Sequence, residues 1–155
     1  MTESRAFERS FDSLAGIVAF TAEFFARAGI DASLRPVVDL ALEELFTNMV
    51  KYSRASGADV DIALTSIRQG VEVTLTDHDV AAFDVTRAPD VDVTLPIEQR
   101  RPGGLGLHLV RRMLDAIEYD YAEESRRSRI TFRKTLAEQP ASGATATTGG
   151  EGAGD

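Results

Sequence analysis

The chain contains no cysteine and no tryptophan, and only two histidines and five prolines in 155 residues. Without cysteine there is neither a disulfide framework nor thiolate chemistry. His78 and His108 lack a companion set of ligands, which argues against a zinc site. Long apolar runs are missing too. The longest, Leu14 to Phe20, falls far short of a membrane span, and the residues before it mix Glu, Arg and Asp where a secretory leader would be basic. The expectation is a soluble, cytoplasmic protein. Positive charge is also scarce, with 17 basic against 25 acidic residues and a net charge of −8. An acidic surface repels a phosphate backbone, so direct binding to nucleic acid or to an anionic membrane is not expected. A nucleotide held through a divalent cation remains compatible with that charge.

At 43% hydrophobic content the chain can build one core and hardly two. One domain is expected over residues 1–136. It is followed by a tail, 137–155, rich in Ala, Gly and Thr, that buries too little to order itself. Residues 5–10 read as a short strand. Leu14 to Ala28 carry a broad apolar helical pattern ending at Gly29. Asp31 or Ser33 can cap a second helix running to about Tyr52, with Pro36 early in it, where a missing N–H is tolerated. Alternation over 59–67 and 71–77 predicts two strands joined by a hairpin turn at Gln69-Gly70. From His78 to Pro102 periodicity is lost among prolines and Asp/Thr residues, the pattern of a lid over a ligand. A helix over about 105–116 and strands near 117–122 and 128–135 complete the pattern.

Three places carry chemistry. Glu44 and Asn48 stand one turn apart on the second helix, with Lys51 on the same stripe and Val38, Leu42, Leu45 and Met49 roughly opposite. Such a stripe is either a solvated face or, where neighbours cover it, a pocket wall. A carboxylate and a carboxamide so stacked can hold hydrated Mg²⁺ and a reacting hydroxyl. The run Gly103-Gly104-Leu105-Gly106-Leu107 opens the third helix. It can be a flexible turn allowing close packing, or a cradle of bare N–H groups for phosphates. It is not a Walker loop, because the Gly-Lys-Ser/Thr ending is absent, and no strand immediately precedes it as a dinucleotide fingerprint requires. Asp77 ends a strand, where it can start a turn or accept a hydrogen bond from an adenine amino group.

In this order, Glu-x-x-x-Asn on a helix, Asp at a strand end, a variable lid and Gly-Gly-Leu-Gly-Leu-His-Leu-Val, the chain resembles the ATPase superfamily of gyrase, histidine kinases and mismatch-repair proteins. Its short form and the run 103–115 look like the anti-sigma factor serine kinases. The resemblance implies a histidine kinase-like ATPase (Bergerat) fold, an α/β two-layer sandwich with a mixed, mainly antiparallel sheet and helices on one face. It implies ATP and Mg²⁺, and phosphorylation of a serine on an anti-anti-sigma (STAS) partner. A sigma factor is held when that partner is absent, and there is room for a homodimer. Glu44 would be the base and Asn48 the Mg²⁺ ligand. Asp77 would face the adenine amino group, and Lys51, Gly103, Gly104, Leu105, Gly106 and Leu107 would complete nucleotide binding. The chain departs from the family at Asp77-His78-Asp79, where Asp-x-Gly is usual, and at Val85, where Pro follows Phe-Asp. If Asp79 takes the glycine position, its side chain crowds the adenine edge and adds a negative charge. A one-residue shift would instead put His78 at the adenine position. A module that keeps the fold and works by protein binding alone is the alternative.

Overall fold

The computed structural model describes residues 1–53, 55–87 and 104–137, with 104 and 105 described by backbone alone. Most of the expected lid (88–102), Gly103 and the tail from 138 lie outside the described residues. Five strands, β1 (Thr2–Phe7), β2 (Val60–Ile67), β3 (Gly70–Asp77), β4 (Ala116–Ala122) and β5 (Arg127–Thr135), form one sheet in the order β1-β2-β3-β5-β4. All four described pairings are antiparallel. Among the described residues, three α-helices, α1 (Leu14–Ala28), α2 (Arg35–Tyr52) and α3 (Gly104–Met113), complete the α/β sandwich.

The strand alternation separates two faces. Val60, Ile62, Leu64, Val71, Val73, Leu75, Ile130 and Phe132 are buried and meet α1 and α2 in one core. The opposite face is polar, with Thr74 and Thr131 hydroxyls 3.2 Å apart and Arg133 between Glu72 and Glu118. On α1, Ile17, Phe20, Thr21, Phe24 and Phe25 recur at helical spacing and are buried. The helix stops at Gly29, whose φ of 67° few other residues accept, and the Ile30 N–H donates to the Phe25 carbonyl at 3.0 Å. On α2 the buried apolar set is Val38, Ala41, Leu42, Leu45, Phe46 and Met49. Asp31 caps a short 3₁₀ turn, Ala32–Leu34, that leads into α2.

Several boundaries differ from the expected ones. β1 starts at Thr2 and ends at Phe7, because Ser10 turns back to accept the Asp12 N–H and cap the next turn. The β2–β3 turn is Arg68-Gln69, with Gln69 at φ 60°, and Gly70 is a strand residue. A side chain at 70 would overlap the Lys134 carbonyl, so Gly70 serves close strand approach there. α3 ends at Met113, and Asp115, just before β4, is tied to β5, taking the Thr135 N–H on its carboxylate at 2.6 Å.

The first part of the expected lid is anchored. The Val80 N–H donates to the Arg126 carbonyl at 3.0 Å, the Tyr121 hydroxyl donates to the Val80 carbonyl at 2.7 Å, and the Phe83 N–H donates to the Tyr119 hydroxyl at 2.9 Å. Val80 and Val85 are buried. Lost periodicity over 78–87 therefore marks an irregular segment packed on β4 and β5, since turn-forming residues can be pinned by side chains from distant strands.

Candidate nucleotide site

The polar stripe of α2 is covered at Glu44 and Asn48 and exposed at Lys51. Asn48 is buried, at 7% exposure, and Glu44 is half-buried. Glu44 is covered by α3: a side chain at 106 would coincide with its carboxyl group, so Gly106 provides the space that the carboxylate fills. The carboxylate thus lies against the first turn of α3, beside the positive end of that helix. Burial pushes the Glu44 carboxyl above the usual carboxylate range. The Lys51 charge pulls it back and Glu43 pushes it further up. Asn48 lies near enough to favour the charged form, yet its Nδ2 makes no hydrogen bond of normal geometry. Glu44 Oε1 is also buried without a partner.

Two unpartnered polar atoms, one turn apart on a helix, offer a donor and an acceptor to a water, an ion or a ligand. A carboxamide's oxygen and nitrogen exchange by a half-turn, so Asn48 can present either atom. Mg²⁺ keeps several waters and takes few protein ligands, and a carboxamide oxygen with water-bridged support from Glu44 suits it. The residues present fit the ion.

Asn48 also lines a cleft of about 370 Å³, together with Met49, Tyr52, Asp77, Phe83 and Ser128. Glu44, Lys51 and Gly106 do not line it. Asn48 lines the cleft and stands one helical turn from Glu44, which packs on Gly106. Asp77 is 1% exposed and is ion-paired with Arg9. Strand alternation carries the next residue to the opposite face, where His78 Nε2 meets Asp61 at 2.8 Å. Asp77, and not His78, therefore belongs to the cleft. Asp79 takes the conformation a glycine would, at φ 56°, and is one of the residues that line the cleft. Its side chain is 69% exposed and pairs with Arg126 at 3.3 Å on the rim. The added negative charge sits in water beside a cation.

Of the other expected residues, Lys51 is exposed on the Glu44 side, and Leu107 is buried in the core, so only its backbone could face a ligand. Gly104 opens α3, Leu105 is described by backbone alone, and Gly103 lies outside the described residues. Arg9, Ser56, Tyr119, Tyr121 and Ser128 had not been foreseen. Ser128 had a signal, since it shares the parity of Ile130 and Phe132 and pairs with Asp77 across the sheet. Arg9 had none, because only the fold brings it to a residue 68 positions away.

The sequence profile of the histidine kinase-like ATPase domain matches residues 7–134. Among curated proteins, the chain is 30% identical over 90 residues to the serine/threonine-protein kinase BtrW of Bordetella bronchiseptica, covering 57% of this chain and 63% of that one. It is 28% identical over 85 residues to the serine-protein kinase RsbW of Halalkalibacterium halodurans, covering 52% of each. The chain thus spans between half and two thirds of these relatives. Among solved structures, the RsbU and RsbW domains of a Mycobacterium tuberculosis protein align with a TM-score of 0.61 at 13% identity, over 88% of this chain and 32% of that one. At that identity the likeness concerns the fold alone.

Proposed function

The chain belongs to the histidine kinase-like ATPase domain family, and on that premise we propose that it binds ATP with Mg²⁺ and transfers the γ-phosphate to a serine of an anti-anti-sigma (STAS) protein. The adenine end occupies the cleft at Asp77, and the phosphates run past Asn48 to the opening of α3. The backbone N–H groups there, from Gly104 onward, receive them. Glu44 accepts the serine proton as the hydroxyl oxygen attacks the γ-phosphorus and the bond to ADP breaks. Mg²⁺, held through Asn48, would neutralise phosphate charge. In the absence of that partner the same protein holds a sigma factor.

One observation carries this reading: a carboxylate with an unpartnered buried oxygen, raised in pKa by burial and pressed on the glycine of a helix entry, one turn from a carboxamide whose nitrogen is also unpartnered. A group so tuned is a stronger base than an ordinary glutamate and is positioned for proton transfer. Phosphoryl transfer asks the protein for little beyond position and charge neutralisation. The names of the two relatives, both serine-directed kinases, support the reaction class.

The test is transfer of labelled γ-phosphate to a STAS protein that the chain captures in a pull-down. Wild type should label it, and Glu44→Gln should label it about 10²–10⁴-fold more slowly with ATP affinity kept. Capture without any labelling by wild type would leave a protein-binding module in place of a kinase.

A further inference from the structure

Arg9 is buried against Asp77, with 6% of its side chain exposed against 2% for Asp77, and is held through both terminal nitrogens while its Nε has no partner. Nη1 donates to the Met49 carbonyl and to Asp77 Oδ2, both at 3.2 Å. Nη2 donates to Ser56 Oγ at 3.2 Å and to Asp77 Oδ1. The His78 N–H donates to the same Oδ1 at 3.0 Å. A carboxylate offers about four acceptor sites. Three are occupied here, two on Oδ1 and one on Oδ2, so the free one is on Oδ2. Asp77 forms part of the cleft wall, and Arg9 does not.

The fork of the guanidinium also fixes the plane of the carboxylate, which a point charge would leave free to turn. Ser56 and the Met49 carbonyl fix the guanidinium in turn, and Ser56 is itself locked by donating to the His78 carbonyl at 2.6 Å. Neither oxygen of Asp77 can donate, and the single free site has a fixed direction. A ring bearing an exocyclic amino group satisfies it, whereas a ring with a carbonyl at that place meets lone pair with lone pair.

We propose that Arg9 is the positioning residue that sets which nucleobase this cleft accepts, by holding Asp77 as a one-site acceptor directed at an amino group. The inference rests on the nucleotide reading above and deepens it. Without Arg9 the carboxylate swings or draws in water, and a water donates to a carbonyl as readily as it accepts from an amino group. Selectivity then falls more than binding does.

The experiment is calorimetry on the full chain with Mg·ATP and with Mg·ITP, whose base has a carbonyl in place of the adenine amino group. Wild type, Arg9→Gln and Arg9→Lys are compared, each with its melting curve. Wild type should prefer ATP. Arg9→Gln should reduce the ATP-to-ITP preference by about 10-fold, through ATP, as expected when one directed hydrogen bond is lost. Arg9→Lys, which keeps the charge but not the fork, should fall between them. Folded variants that lose both nucleotides in proportion, leaving the ratio unchanged, would make Arg9 a merely structural residue and overturn the proposal while the nucleotide reading stands. Should Arg9→Gln fail to fold, an unchanged ratio in Arg9→Lys overturns it equally. A wild type that binds neither nucleotide removes both the reading and the proposal.

Discussion

Glu44 is a titrating group with a direction. Its carboxyl is raised by burial in the folded state, so the folded chain holds that proton more tightly than the unfolded chain does. Its contribution to stability is complete in acid, below the unfolded value, and is lost as pH rises through the folded value. Glu44→Gln removes this dependence. The melting temperature of the variant relative to wild type should therefore climb with pH across that window and flatten above it; a constant difference would mean that burial does not tune Glu44. The same group should give wild-type transfer an acid limb displaced above the ordinary glutamate range, and the variant should lack it. At this scale the sequence is legible where partners are close in the chain: Glu44 and Asn48 are visible because four residues make one helical turn. Arg9 and Ser56 are not, since their roles arise only after β1, α2 and β3 have come together.

At the scale of elements, α2 and α3 meet through a glycine, and the consequence is testable. In Gly106→Ala the new methyl must displace the Glu44 carboxyl, the far end of a flexible side chain, whose atoms are the three nearest to it. Alanine also gains about 1 kcal/mol of helix propensity over glycine. The variant should thus melt at or above the wild-type temperature and yet transfer phosphate as poorly as Glu44→Gln, by the same labelling assay. Strong destabilisation would show that the helix contact, and not the carboxylate position, is what Gly106 protects. The helices and strands themselves were readable from their periods, because each buries one face. What misled was punctuation. Gly70 looked like a turn residue but serves a strand contact, and residues 78–87 looked free but are tied down by Tyr119 and Tyr121 from a later strand.

For the whole molecule, a ligand that binds only the folded chain raises its stability by about 2.7 kcal/mol at a hundred times its Kd. Mg·ATP should accordingly raise the melting temperature, and Asn48→Ala should lose the part of that rise that depends on Mg²⁺. No shift at millimolar nucleotide, by differential scanning calorimetry, would contradict a nucleotide cleft.

The wall of that cleft is drawn from Asn48 and Met49, from Asp77 and from Ser128 opposite it in register, and Arg9, outside the lining, holds Asp77 in place. No contiguous half of the chain contains all of these. During synthesis or refolding the nucleotide therefore meets no partial pocket: nothing is there to bind until β5 has paired with β3 and the N-terminal segment has closed on both. Such long-range pairings form late. A nucleotide should then leave the refolding rate nearly unchanged and act by slowing unfolding, so that its protection is kinetic and belongs to the finished molecule alone.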